Sequence, residues 1–225
     1  MNKTITLAFV ALFFAAAPLQ AQDWPAMEYF KTKNDSLMKL TDQTSVVFMG
    51  NSITQGWISM RPNFFCRNQF INRGIGGQTT PQMLLRFRQD VIDLNPKAVV
   101  ILAGINDIAE NTGPISLEDI AKNLESMVQL SLANEITPVL CSVLPANSFP
   151  WRQRITPTER VIELNRLLRE MAEYYQVPYV DYYSPMVDDK KGLKPEWGYD
   201  PVHPNEEGYK VMEPIVMNTL NQLLK

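Results

Sequence analysis

Ala98-Val99-Val100-Ile101-Leu102-Ala103-Gly104-Ile105-Asn106-Asp107 begins as an unbroken apolar run and turns, at a glycine, toward polar residues. A strand with one wet face alternates apolar and polar side chains. A run that is apolar on consecutive residues has both faces covered, as in a parallel sheet between helices. Four further short apolar runs accompany it: Ser45 to Met49, Phe70 to Asn72, Thr137 to Val143 and Pro178 to Val180. The segments between them carry helix signals. Thr80-Pro81 reads as N-cap and first helical residue, and Thr156-Pro157-Thr158-Glu159 as a capping box. After Ser116, the residues Ile120, Leu124, Met127 and Val128 share one helical face, and after Pro157 so do Val161, Leu164, Leu168, Met171 and Tyr175. The last segment repeats the pattern from Val211 to Leu223, with Pro214 predicting a kink or a late start. Strand and helix alternating in this way predict an α/β fold, three-layer α/β/α, around a five-stranded parallel sheet. Right-handed crossovers leave few topologies, among which the flavodoxin-like order 2-1-3-4-5 is common at this size.

Composition narrows the function classes. The chain has 225 residues and a formal net charge of −3, with charges of both signs interspersed. This offers no electrostatic footprint for nucleic acid or an anionic membrane surface. Lys3 followed by an apolar run from Ile5 to Ala17 is too short to span a bilayer and fits a signal peptide over residues 1–21, cut after Ala21. A secreted or periplasmic product is expected. No Cys follows that site, which argues against a lipid anchor, and residues 22–225 suit a single domain. For Cys141, inside an apolar strand-like run, a buried free thiol is the ordinary reading; pairing with Cys66 stays open. One histidine and no Cys-x-x-Cys pattern argue against a zinc site.

In the order 2-1-3-4-5, ligands bind beyond the carboxyl ends of strands 1 and 3. Chemistry is therefore expected in the loops beginning at Gly50 and Gly104. The first reads Gly50-Asn51-Ser52-Ile53-Thr54. Ser52 is either a helix cap or a nucleophile whose own N–H, at a helix start, faces a developing oxyanion. No glycine stands two residues after it, so the nucleophile elbow of α/β-hydrolases is absent. A second loop, Asn72-Arg73-Gly74-Ile75-Gly76-Gly77-Gln78-Thr79-Thr80, is neither a P-loop nor a dinucleotide fingerprint. Its glycines serve a tight turn or bring a backbone N–H to a substrate oxygen. In Gly104-Ile105-Asn106-Asp107, Asn106 either caps the turn or donates its amide to an oxyanion.

His203, the single histidine, follows Asp200 by three residues in Asp200-Pro201-Val202-His203-Pro204. It either opens the last helix or acts as a base, Asp200 folding back onto Nδ1–H to leave Nε2 free. Taken together, the loops supply a nucleophile, oxyanion donors, a base and an orienting carboxylate, which is what acyl transfer requires. Trp57, Trp151, Arg152 and Trp197 are candidates to line the pocket or stack on a sugar, against a packing role for each.

Gly50-x-Ser52, the Gly77 loop, Gly104-x-Asn106-Asp107 and Asp200-x-x-His203-Pro204 together resemble, in order and spacing, the four signature blocks of the SGNH (GDSL-type) hydrolases. The stretch from Arg73 to Thr80 is similar to the platelet-activating-factor-acetylhydrolase-like and carbohydrate-acting branch. The resemblance implies Ser52 as nucleophile, His203 as base and Asp200 as its orienting acid. It implies an oxyanion hole formed by the N–H groups of Ser52 and Gly77 with the Asn106 amide. Gly77 is preferred to Gly74 because it stands immediately before Gln78-Thr79. Two residues depart from the pattern: Asn51 where an Asp is usual, and Pro201 where a Gly is usual.

The expected function is that of a cofactor-independent serine ester hydrolase. Its substrate would be a short acyl, acetyl foremost, on a polar alcohol such as a carbohydrate. Alternatives are a lysophospholipase or thioesterase using the same triad, a non-catalytic carbohydrate-binding module, and a flavodoxin-like cofactor binder. The last lacks a phosphate-cradling loop.

Overall fold

The strands buried on both faces lie at the centre of one sheet. Every residue of β1 (Val46–Gly50) and β3 (Ala98–Leu102) is buried, as is β4 (Thr137–Cys141) after its first residue. With β2 (Ile71–Gly74) and β5 (Tyr179–Val180) they pair in parallel throughout, in the order β2-β1-β3-β4-β5. The expected topology is the observed one. The computed structural model describes residues 22–38 and 46–224. The proposed signal peptide, residues 1–21, and the Ser45 start of the first strand lie outside them.

The helices are α1 (Glu28–Leu37), α2 (Ser52–Met60), α3 (Pro62–Asn68), α4 (Thr80–Asp90), α5 (Ile105–Ile108), α6 (Leu117–Ala133), α7 (Thr158–Tyr175), α8 (Tyr183–Met186) and α9 (Glu206–Leu223). The chain steps one way from β1 to β2 and the other way through β3, β4 and β5. Right-handed crossovers therefore put α2 and α3 on one face and α4, α6 and α7 on the other. The packing agrees: α4 adjoins α6 and α6 adjoins α7. On the opposite face α9 meets α2, Tyr209 stacking on Trp57 at 5.5 Å and donating its hydroxyl to Ile53 O.

Three local expectations are corrected. The cap of α4 is Thr79, one residue earlier than expected, in a capping box with Gln82. No box forms before α7, whose N-cap is Pro157, a residue with no side-chain hydrogen bond to offer. Pro214 neither delays nor ends α9. The carbonyl it deprives of a donor belongs to Lys210, which is exposed, so water can take the place of the missing N–H. The expected pocket role of Trp57 also falls here. Its ring is 1% exposed, between Phe64 at 5.3 Å and Tyr209, in an aromatic cluster with Phe48 and Phe65 under the sheet.

Cys66 is exposed and Cys141 buried, and both are free thiols; burial pushes the Cys141 thiol well above its usual range. No helix among the described residues is long and apolar enough to cross a membrane.

Candidate active site

Where β1 ends, the chain turns at once into α2. A β-carbon at Gly50 would stand 2.0 Å from Thr54 Oγ1 and 2.8 Å from Leu102 O, so only glycine lets this turn close. Asn51 then caps α2, its Oδ1 accepting from Ile53 N at 3.0 Å. Asparagine thus supplies the short acceptor that the cap needs. Ser52 is the first helical residue, so its N–H has no partner within the helix.

Ser52 Oγ lies 2.9 Å from His203 Nε2, and His203 Nδ1 lies 2.8 Å from Asp200 Oδ2. Asp200 Oδ1 accepts from the backbone N–H groups of Val202 (2.8 Å) and His203 (2.7 Å). The carboxylate closes its own loop as well as holding the imidazole. Pro201, which has no N–H, occupies the position in that loop whose donor is not needed. Burial by itself pushes the Asp200 carboxyl up, but the N–H groups of His203 and Val202 and the imidazole together hold it below its ordinary range. An ionised carboxylate on Nδ1 keeps the proton there and turns the Nε2 lone pair toward Ser52.

The glycines of the second loop do different work. Gly74 ends β2 with its N–H taken by Asn72 Oδ1, and a β-carbon there would collide with Gln55 N at 2.2 Å, so it lets α2 pack on β2. Gly76 donates to Gln55 Oε1 at 2.9 Å and lies against the nucleophile turn, its notional β-carbon 3.9 Å from Ser52 Cβ. Gly77 has φ +77°, open space where a side chain would go, and an N–H with no acceptor among the described residues. Conformation, not crowding, demands glycine there. Asn106 is buried and gives one amide hydrogen to Gln78 O at 3.0 Å, keeping the second. Ser52 N, Gly77 N and Asn106 Nδ2 are thus donors with capacity to spare.

Two residues to which the sequence reading of the site assigns no role hold these loops together. Arg86, fully buried on α4, donates to Gly50 O (3.1 Å), Arg73 O (2.9 Å), Gln78 Oε1 (2.6 Å) and Asp90 Oδ2 (2.8 Å). Its signal was present as Met83, Arg86, Phe87 and Asp90 on one helical face, an i,i+4 ion pair on the side that packs. Asp107 is the other. Its carboxylate accepts from Thr80 N at 2.9 and 3.1 Å and from Thr80 Oγ1 at 2.6 Å, fastening the start of α4 to α5.

Of the other pocket candidates, Trp151 is 43% exposed with its ring 6.0 Å from that of His203. Arg152 follows it, half-buried. Trp197 is half-buried against the core with Lys194 Nζ 4.4 Å over its ring. The ring that covers His203 is instead Tyr199, 61% exposed and stacked at 5.5 Å with planes 8° apart. An irregular loop has no periodicity by which Tyr199 could have been singled out.

The profile of the GDSL-like lipase/acylhydrolase family matches residues 48–211. Among solved structures, the chain is similar to an acylhydrolase-assigned protein from Bacteroides fragilis NCTC 9343, at 44% identity and TM-score 0.88, covering 91% of this chain and 100% of that one. It is similar to a GDSL-like lipase from Bacteroides thetaiotaomicron VPI-5482 at 43% identity and TM-score 0.85, covering 88% and 98%. It also matches the uncharacterized lipoprotein YqeF of Bacillus subtilis (strain 168), 38% identical over 78 residues. That match spans 33% of this chain and about a third, 32%, of the relative.

Burial raises the Asp107 carboxyl from its ordinary 3.8 to about 6, the Thr80 donors opposing the rise. The unfolded chain then ionises this group before the folded one does, so the stability that Asp107 contributes is full below pH 3.8 and is lost as pH climbs through about 6. Urea unfolding of the parent and of Asp107→Asn should show the parent losing ~2 kcal/mol relative to the variant between about pH 4.5 and about pH 7.5. A parent-minus-variant stability that stays constant, or rises with pH, would mean that the Thr80 donors keep the carboxylate ionised throughout.

Proposed function

The chain belongs to the GDSL-like lipase/acylhydrolase family, and on that premise we propose that it is a serine ester hydrolase working through an acyl-enzyme at Ser52. The observation that carries this reading is the continuous relay from Ser52 Oγ through the His203 ring to Asp200 Oδ2, with contacts of 2.9 and 2.8 Å. His203 takes the hydroxyl proton as Ser52 attacks an ester carbonyl. The N–H groups of Ser52 and Gly77 and the spare amide hydrogen of Asn106 meet the negative oxygen of the tetrahedral intermediate. The imidazolium, stabilised by Asp200, returns the proton to the leaving alcohol. A water activated by the same imidazole then releases the acid. Each step is an addition, an elimination or a proton transfer, and none calls for a cofactor.

The leaving alcohol sits beside His203 Nε2, and the exposed rings of Trp151 and Tyr199 lie 6.0 and 5.5 Å from the His203 ring. Flat aromatic faces there suit a sugar ring, which presents C–H groups on one side and hydroxyls at its edge. The acyl side is bordered by Gln55 and by the exposed backbone of Gly76 and Gly77, a polar rim that suits an acetyl group. The substrate of this reading is a short-chain ester of a carbohydrate. The chain meets it outside the cytoplasm, through the leader of residues 1–21.

Ser52→Ala should abolish hydrolysis of a short p-nitrophenyl ester while leaving the thermal unfolding midpoint in place. Retained turnover would reduce Ser52 to a helix residue and end the mechanism. Asn106→Ala should lower kcat by roughly 10²–10³ with a smaller change in KM, because an oxyanion donor acts on the transition state; a change confined to KM would assign Asn106 to ground-state binding. The acyl group is decided by kcat/KM on acetyl, butyryl and octanoyl esters below their micelle concentrations. A lipid-binding pocket gains about 0.8 kcal/mol per buried CH₂ and climbs by orders of magnitude with length. The expected profile here falls with length, and a steady rise would favour a lysophospholipase or thioesterase.

A further inference from the structure

Ahead of the family-matched region, Asp23–Tyr29 runs along α4 and is held there by amide groups. Gln82 Nε2 donates to Trp24 O at 2.7 Å, Gln78 Nε2 to Pro25 O at 2.8 Å and Gln89 Nε2 to Met27 O at 2.6 Å. Asp23 closes the segment, accepting from the N–H groups of Met27 (2.8 Å) and Glu28 (3.0 Å). At its far end the Tyr29 hydroxyl accepts from Gln55 Nε2 at 3.0 Å, and Gln55 Oε1 accepts from Gly76 N at 2.9 Å. The segment is thus joined to the Gly76–Gln78 turn twice, through the side chain of Gln78 and through Gln55 at Gly76. Between those two attachments lies Gly77, with its spare N–H, and Gln78 O is the acceptor that orients the Asn106 amide. The three α4-side amides all address main-chain carbonyls, so what is held is the path of the segment.

We propose that Asp23–Tyr29 is a working part of the active site, holding the Gly76–Gln78 turn, with Gln55 and Gln78 as positioning residues, so that two of the three oxyanion donors face the transition state. The inference rests on the acylhydrolase reading above. Gly76 and Gly77 are exposed, and a turn of that kind keeps its place only through its attachments. Displacing a catalytic group by about 1 Å costs on the order of 10²-fold in rate. The loss falls on kcat, since the donors act on charge that develops only in the transition state.

Two substitutions in the full chain loosen the segment without altering the turn. Gln82→Glu keeps the oxygen that accepts from Thr79 N and Thr79 Oγ1 but removes the donor to Trp24 O. Tyr29→Phe removes the hydroxyl that receives Gln55 and leaves an exposed ring in place. The double variant should lose roughly 10–10²-fold in kcat on p-nitrophenyl acetate, with KM within about threefold and the thermal midpoint nearly unchanged. Labelling of Ser52 by a fluorophosphonate, whose tetrahedral adduct uses the same donors, should slow in parallel. A folded double variant with kcat within about twofold of the parent, or with the whole loss in KM, would overturn the proposal. Ser52→Ala separates the two failures. If it retains turnover, the acylhydrolase reading itself is wrong; if it is inactive while the double variant is unimpaired, only this inference falls.

Discussion

The site depends on one guanidinium that never meets solvent. Arg86 holds the ends of the two strands that bracket the nucleophile turn, through the carbonyls of Gly50 and Arg73, and the same group anchors the side chain of Gln78. A buried cation is costly unless its donors are met, and here each of the three nitrogens has an acceptor, with Asp90 as counter-charge. Arg73, also buried, is served by the Asn34 amide oxygen, and Asn34 in turn donates to Asp90. Burial lowers the Arg73 guanidinium to about 10, and Phe30 lies 4.6 Å beneath it. Two arginines against one aspartate leave positive charge beside the ends of β1 and β2, next to the turns proposed to hold the oxyanion. An apolar substitute of similar volume could fill the space, but it could not tie two strand ends and a loop to one point.

The proposed catalytic groups are supported in different ways. Ser52 is fixed by the sheet: Gly50 allows the sharp turn and Asn51 caps the helix that begins there. His203 is fixed by its own loop, which the Asp200 carboxylate closes with two main-chain hydrogen bonds before it touches the imidazole. Base and orienting acid thus share one loop, the His203 ring stacked under Tyr199 and docked on a helix-borne serine. The donor loops are held from behind by Arg86 and Asp107, and from outside by the segment ahead of the sheet.

Local regularities made most of this legible in the chain. Consecutive apolar residues marked the buried strands, helical spacing marked α6, α7 and α9, and alternation with right-handed crossovers left an order of strands that the structure has. The carboxyl ends of β1 and β3 then pointed to Ser52 and Asn106, and a solitary histidine three residues from an aspartate to the rest. Short-range signals served less well where neighbours compete. Thr79 outranks Thr80 as a cap because Gln82 is placed to answer it, and a proline cap leaves Thr156 without a role.

What the sequence determined by itself was the kind of fold and the residue types able to do chemistry, because both are carried by periodicity and by spacing within a few residues. Which side of a ring or helix faces the crevice was decided only by tertiary packing. Trp57 and Tyr199 show the reason. Each is an aromatic residue near a candidate loop, yet one is sealed between Phe64 and Tyr209 while the other lies open on His203. The same holds for Arg86, Asp107 and the N-terminal segment, most of whose partners are 8 to 62 residues away along the chain. No local pattern specifies such contacts, since they exist only once the sheet has brought its strand ends to one edge.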